Sequence, residues 1–292
     1  MKTKISLLAS GNLGFNMLTD LFEFTEISFL ATDKNSKEII EFAQLNNIPL
    51  FIGNPRNGKL SSFIYETVGK TRSEILLSIN YLFLINKDVF ESFLYPINFH
   101  GGLLPKYRGR TPHVWAIINN EKETGVTAHV IDSGCDTGEI ILQKKIPILE
   151  NDTGFSILEK FNKIYPIIIR DVIRLCELRS IQKVKQDDLL STTYSKRTPN
   201  DGKINWDWQK ERIRNWVRAQ AYPYPGAFTF FHQKKIIIDK VSFSDVGFKD
   251  EVPNGTILQV EPSLIIKTPN GSVKLEIVRS NQIDFVQNEK LQ

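Results

Sequence analysis

Residues Glu74–His100 read EILLSINYLFLINKDVFESFLYPINFH. EILLSI, from Glu74 to Ile79, is a short continuous apolar run and predicts a buried strand. KDVFESFL, from Lys87 to Leu94, predicts a short helix. INFH, from Ile97 to His100, predicts a second strand that must end where the chain turns at Gly101-Gly102. The same alternation runs upstream. KISLLAS and ISFLA read as strands, and NMLTDLFEF and KEIIEFAQLNN have helical spacing. Strands alternating with helices argue an α/β fold with a mostly parallel sheet covered on both faces.

Downstream, TPHVWAIINN starts with Thr111 as an N-cap and Pro112 at the first helical position. GVTAHVI alternates as a strand should, and IILQKKIPI is its expected antiparallel partner after the SGCDTG loop. FSILEKFNKIYPIIIRDVIRLCEL predicts a long helix, kinked or broken at Pro166. Composition changes after Leu178. The stretch 180–202 is polar and lacks periodicity, so it reads as a connector. QKERIRNWVRA then predicts a helix, and AFTFF, KIIIDKVSF, GTILQV, SLIIKT and SVKLEI predict short strands. Asn270-Gly271 is the hairpin signal between the last two, with positive φ expected at both turn positions. The expected division is a catalytic domain over 1–179, a connector over 180–202 and a smaller β-rich domain over 203–292.

The chain has 292 residues and a formal charge of +4, which suits an anionic small substrate as well as RNA. The two cysteines, Cys135 and Cys176, form no framework, which favours a reducing compartment. The N-terminal apolar run breaks at Gly11, too early for a signal peptide. No stretch approaches the roughly 18 apolar residues of a membrane span. These features read as a cytoplasmic protein.

Asn98 and His100 project from one face of their strand, with Phe99 on the other. In a parallel sheet, ligands bind beyond the carboxyl ends of strands, where this one ends. An amide donor beside an imidazole can polarise a carbonyl and manage a proton. Taken alone, the pair reads more economically as a polar couple at a strand end. Asp132 and Asp136 follow in IDSGCDTGEI. A carboxylate near His100 would orient the ring and raise its pKa above ~6.5, but Asp and Gly also build such turns unaided. The glycine turn holding Gly11 and Asn12 could cradle an anion at a helix start, though a plain tight turn explains it equally. Lys106, Arg108 and Arg110 could grip a phosphate or form a solvated loop. Tyr222, Tyr224 and Phe228, with Trp206 and Trp208 upstream, could stack on a base or pack between domains. Cys135 has no flanking cation to activate it. The scattered histidines predict no metal site.

Together, Asn-x-His followed by LLPxYRG, the DxGxDTG loop, KRTPNDGKINW, IRNWVRA and PYPGAF resemble the folate-dependent formyltransferase family over most of the chain. The resemblance implies a Rossmann-like catalytic domain that uses formyl-tetrahydrofolate as one-carbon donor. Asn98 would bind the formyl oxygen. His100 would stabilise the developing charge or accept the amine proton, and Asp136 would orient His100. Tyr81, Leu82, Phe83 and Leu84 match the segment that holds the pterin, largely through backbone groups. The loop with Asp132 and Gly134 would close its other side. The family usually has Ser where this chain has Gly102, so a hydroxyl contact would be lost.

RGRTP resembles the branch acting on nucleotide-linked amino sugars, whereas the methionyl-tRNA branch usually reads RGAAP. The β-rich region is also short for a complete tRNA-binding barrel. The resemblance therefore favours a dTDP- or UDP-linked amino deoxysugar as acceptor, in surface-polysaccharide synthesis. Gly11, Asn12, Arg108, Arg110, Lys196, Arg197, Arg218, Tyr222 and Phe228 are its expected contacts, with no nucleic-acid or membrane partner. Relatives of this kind are commonly homodimers, and the hairpin around Asn270-Gly271 could supply the contact. A methionyl-tRNA formyltransferase is the nearest alternative. A folate-dependent hydrolase and a non-catalytic sensor on the same fold are two others. The hydrolase relatives carry an additional leading domain, and a sensor would be expected to lose the Asn, His and Asp set.

Overall fold

The apolar runs of the first half become strands β1 (Thr3–Ala9), β2 (Thr25–Thr32), β3 (Leu50–Ile52), β4 (Ile75–Ile79), β5 (Tyr95–His100), β6 (Arg108–Gly109), β7 (Glu123–Val130) and β8 (Ile140–Pro147). The computed structural model describes residues 2–69, 73–279 and 283–292. All these strands except β6 form one sheet in the order β3-β2-β1-β4-β5-β7-β8. Pairing from β3 to β5 is parallel, and β7 joins β5 antiparallel. Helices α1 (Gly11–Phe24), α2 (Lys37–Leu45), α3 (Lys59–Phe63) and α4 (Lys87–Phe90) alternate with the first strands. Ile5, Leu7, Leu8, Leu76, Leu77 and Ile79 are fully or almost fully buried, as in a sheet covered on both faces. Each such side chain contributes roughly 1.5–3 kcal/mol relative to exposure.

Strand order reverses direction between β1 and β4, so the crevice beyond their carboxyl ends is the switch point of the sheet. Gly11 donates its amide to Ser36 Oγ (2.9 Å), which donates in turn to Asp33 Oδ2 (2.6 Å). Asn80, just past β4, donates to the Ser10 carbonyl (2.9 Å).

Helix α5 (Pro112–Ile118) has Pro112 at its start, but Thr111 lies at φ 51 and its side chain makes no cap bond. A cap residue normally holds extended φ/ψ so that its oxygen reaches the first amides. The left-handed backbone denies Thr111 that reach. The helix expected over 87–94 ends at Phe90, because tight turns from Val89 and Phe90 fold Phe93 into the core. Helix α6 (Gly154–Glu177) runs unbroken through Pro166. Its buried stripe of Phe161, Tyr165, Ile168, Ile169 and Val172 continues past the proline. That packing outweighs the cost of a helix-interior proline, ~3 kcal/mol.

The stretch 180–202 carries an isolated bridge from Val184 to Ile140 and strand β9 (Thr193–Tyr194), which pairs in parallel with β6. Two compact units divide the chain. One comprises Met1–Gly109, Gly125–Ile146 and Lys160–Tyr194, and the other Arg110–Thr124, Pro147–Glu159 and Ser195–Gln292.

The second unit holds α5, helix α7 (Lys210–Ala219) and strands β10 (Ala227–Phe231), β11 (Lys234–Ser244), β12 (Ile257–Gln259), β13 (Leu264–Thr268) and β14 (Gly271–Arg279). These strands form an antiparallel sheet in the order β10-β11-β14-β13-β12. Along β11 the buried positions step from Ile236 and Ile238 to Val241, where the register against β14 shifts. Such a bulge re-phases the two-residue alternation. The β13–β14 hairpin pairs Thr268 with Gly271, so its turn residues are Pro269 and Asn270. Gly271 opens β14, and Asn270 does not adopt positive φ. Asn270 Oδ1 instead accepts the Lys210 amide at the start of α7 (2.9 Å), tying the turn to that helix. Trp206 is buried and donates to Thr229 Oγ1 (3.0 Å), and Trp208 meets Trp216 edge-on. Both indoles pack within this unit. Among the described residues, no helix is long and apolar enough to cross a membrane.

His113, on α5, places Nε2 3.2 Å from Tyr224 Oη. Burial pushes its pKa down to about 4. The unfolded chain therefore binds a proton that the folded chain refuses. His113 should contribute stability above pH ~6.5 that is lost as pH falls towards 4. Urea unfolding of His113→Gln across this window should show a flatter pH dependence than the native chain.

Candidate active site

Strand β5 sets the site. Its antiparallel register with β7 puts Asn98 opposite His129 and His100 opposite Thr127. Alternation turns Asn98 and His100 to one face, and directly paired residues on one face of two strands meet. His129 is thereby brought to Asn98. Just past β7, the turn carries Asp136 at φ 57, a left-handed conformation uncommon outside glycine.

Asp136 is the centre of the cluster. Its Oδ2 lies 3.4 Å from His100 Nδ1 and accepts the Gly109 amide (2.9 Å). Its Oδ1 lies 3.4 Å from Asn98 Nδ2 and 3.5 Å from His129 Nε2. The carboxylate is only 12% exposed. Burial alone pushes its pKa up, but His100, His129 and the Gly109 amide outweigh it and hold Asp136 ionised, well below the usual range.

The two imidazoles have different jobs. His129 Nδ1 lies 2.8 Å from the Val130 carbonyl, which can only accept, so Nδ1 donates. Its Nε2 is then the acceptor for Asn98 Nδ2 at 3.0 Å. That fixes which end of the Asn98 amide faces the cluster. His100 Nε2 donates to the Tyr107 carbonyl (2.8 Å), which leaves the Nδ1 lone pair towards Asp136. A proton taken up there faces Oδ2 of the carboxylate.

The carboxylate was expected to raise the His100 pKa, and the direction is the reverse. Burial lowers it, and the opposing effects of Asp136 and the Tyr107 carbonyl do not overcome burial, to which His129 adds. His100 thus stays neutral and able to accept a proton. His129 was missed from sequence. Its signal was a second histidine on the strand leading into the acid loop, but its inward direction depends on the register with β5.

Gly102 stands where a serine was expected, and other side chains hold that loop. Thr127 Oγ1 donates to the Gly102 carbonyl (2.6 Å) and accepts the Leu104 amide (3.2 Å). Gln143 donates to Thr127 Oγ1 and to the Leu104 carbonyl (both 2.9 Å).

Of the segment after β4, the Tyr81 ring is buried and meets Phe83 edge-on, whereas Leu82 and Leu84 are 40% and 62% exposed. Asp132 accepts from the Gly134 amide (3.1 Å) and from Thr137 Oγ1 (2.7 Å), so its carboxylate braces its own loop. The Gly11 amide is occupied by Ser36, and Asn12 is exposed. Arg108, expected to grip phosphate, is buried instead. Its Nε and Nη2 donate to Gln186 Oε1 (3.1 and 2.8 Å), and Nη2 also meets Asp188 (2.8 Å). A buried guanidinium must be paired, and these partners commit its donors internally.

The remaining candidates lie in the second unit. Arg110 and Lys196 are exposed. Arg197 sits over the rings of Trp115 (5.0 Å) and Trp216 (4.4 Å) and donates to the Asp201 carbonyl and Gln220 Oε1 (2.9 and 3.1 Å). Arg218 donates to Asn215 Oδ1 and the Asp152 carbonyl (both 2.8 Å). Burial lowers the pKa of both guanidiniums. Tyr222 is 72% exposed, whereas Phe228 is buried beneath Lys235, whose Nζ lies 3.9 Å above the ring. Among the described residues, no group of His, Cys, Asp and Glu is arranged to hold a metal ion.

The formyl transferase family matches residues 20–173, and the formyl transferase C-terminal domain matches residues 196–287. The bifunctional polymyxin resistance protein ArnA of Wigglesworthia glossinidia brevipalpis is 34% identical over 255 residues. That match covers 87% of this chain but 38% of the relative, so the chain spans well under half of that protein's length. A crystal structure of WlaRD, a sugar 3N-formyl transferase in the presence of dTDP and 5-N-formyl-THF, superposes with a TM-score of 0.68 at 25% identity, covering 97% of this chain and 100% of that one. The N-formyltransferase from Helicobacter canadensis, in complex with folinic acid and dTDP-3-aminofucose, gives a TM-score of 0.70 at 23% identity, covering 94% and 99%.

Gly109 has φ 95, and a Cβ there would overlap the Tyr194 carbonyl on β9. Gly109→Ala should lower stability by about 1–3 kcal/mol, read from urea unfolding.

Proposed function

The chain belongs to the folate-dependent formyltransferase family, and from that premise we propose that it transfers a formyl group from formyl-tetrahydrofolate to the amino group of a dTDP- or UDP-linked amino deoxysugar. The observation that carries the reaction type is the buried cluster of Asn98, His100 and ionised Asp136, joined within 3.4 Å. RGRTP at Arg108–Pro112 and the likeness to sugar N-formyltransferases support a sugar as acceptor.

The residues present suit the donor. Leu82 and Leu84 expose apolar surface just beyond β4, at the same end of the sheet as His100. A flat heteroaromatic ring needs apolar cover with edge hydrogen bonds. When bound, formyl-tetrahydrofolate supplies an activated carbonyl carbon for the amine to attack.

Asn98 has one amide hydrogen on His129 Nε2, at 3.0 Å, and the other near Asp136 at 3.4 Å. The second, more loosely held, is the one that turns to the formyl oxygen as charge develops there. His100 takes the amine proton on Nδ1, since Nε2 is committed to Tyr107. Asp136 holds the ring and stabilises the imidazolium while remaining ionised. Catalysis is assigned to residues 1–179, followed by a connector over 180–202 and a smaller β-rich domain over 203–292. Lys196, Arg197, Arg218, Tyr222 and Phe228 are assigned to the nucleotide. Tyr222, 72% exposed, offers a ring face for stacking. In this reading the enzyme is a cytoplasmic homodimer, and its product enters lipopolysaccharide O-antigen synthesis.

The deciding assay offers formyl-tetrahydrofolate with a panel of dTDP- and UDP-amino sugars, methionyl initiator tRNA alongside, read by mass spectrometry. One formyl group on a sugar amine is the expected result. Formylated tRNA, or formate with no acceptor modified, sinks the sugar assignment.

Once the acceptor is known, His100→Asn should cut turnover by about 10²–10⁴-fold, with nucleotide-sugar affinity by calorimetry almost unchanged. Because burial depresses the His100 pKa, the acid limb of the kcat profile should lie below pH ~6.5.

A further inference from the structure

Residues 180–194 belong to the first unit, and among them is a side chain with every polar group satisfied. Gln186 is buried. Its Nε2 donates to two backbone carbonyls, those of Asp136 (2.8 Å) and Gly138 (2.7 Å). Its Oε1 accepts both Nε and Nη2 of Arg108. The carbonyls can only accept and the guanidinium can only donate, so the amide has one permitted orientation.

Gln186 thereby joins two segments that each hold part of the His100–Asp136 pair. Residues 107–109 carry, in order, the carbonyl that fixes His100 Nε2, the guanidinium that Gln186 grips, and the amide that Asp136 Oδ2 accepts. Residues 136–138 carry Asp136 itself, in its left-handed conformation. Around this link, Thr192 accepts the Tyr107 amide through Oγ1 (2.9 Å) and the Arg108 amide through its carbonyl (2.8 Å). Tyr194 stacks on Tyr107 with centroids 5.5 Å apart.

We propose that Gln186 is a positioning residue for formyl transfer: by clamping the backbone at Asp136 and Gly138 to Arg108, it sets the contact between Asp136 and His100. This rests on the formyl-transfer reading above. Gln186 touches neither reacting group, and it acts through Asp136. A displacement of about 1 Å at a reacting pair can cost about 10²-fold in rate.

Gln186→Glu separates the two halves of the clamp. It keeps acceptors for Arg108 and removes both hydrogens offered to the carbonyls of 136 and 138. We expect kcat per folded molecule to fall about 10–100-fold, with KM for the nucleotide sugar within about threefold. The ¹⁵N shifts of the His100 ring nitrogens should move as Asp136 leaves Nδ1. A scaffold role predicts a lower melting temperature with kcat, KM and the His100 shifts unchanged, and that result overturns the proposal. If Gln186→Glu does not fold, Gln186→Met with Arg108→Met removes the buried charge together with its partner. The folded double variant should still lose kcat at least about 10-fold, and a native kcat in it overturns the proposal. If the native protein formylates no acceptor, the functional reading fails. The nitrogen shifts then decide the positioning role alone: shifts identical to native refute it, and displaced shifts uphold it.

Discussion

An ionised carboxylate buried beside two imidazoles is costly unless every lone pair finds a donor or a cation. Asp136 meets that demand with the Gly109 and Asn98 amides, and a proton taken up by His100 on Nδ1 adds a cation beside Oδ2. Much of the first unit follows from it. The chain after His100 must double back so that Gly109 reaches Oδ2. The turn after β7 must take a left-handed step so that the carboxylate points inward. The polar stretch near Gln186 must return to hold both. The charge at the centre and the loops around it are one construction.

The sheet makes this possible by changing direction once. The strands from β3 to β5 are parallel, and their carboxyl ends open on one edge, as in other open α/β folds. The antiparallel strand β7 then enters at that edge beside His100 and leaves at the amino end of β5, beside Ile97. The register sets His129 of β7 beside Asn98, and the loop after β7 folds back to bring Asp136 to Asn98 and His100.

Much of the fold was legible because its signals are local. Continuous apolar runs mark β1 and β4, and the alternation at Asn98 and His100 depends on nothing beyond the strand itself. What could not be read depends on partners far along the chain. His129 faces inward only through its register with β5. Arg108 looked like an anion grip because its partner Gln186 lies 78 residues away. The hairpin signal at Asn270-Gly271 was one residue out, because Pro269 takes the first turn position and Gly271 begins β14. The pKa of His100 was misjudged because a neighbouring charge is visible in sequence while burial is not.

The return of residues 184–194 to the first unit also bears on recombination between relatives. A chimera joined at residue 179, where the composition changes, would give the Asn98–His100–Asp136 cluster a foreign Gln186 and Thr192 against native Arg108 and Tyr107. The junction that keeps these contacts from one parent falls after Tyr194, where the first unit ends. Segments 110–124 and 147–159 belong with the second unit although they lie within the first 179 residues. Acceptor specificity carried by that unit would therefore travel as three inherited pieces rather than as one C-terminal block.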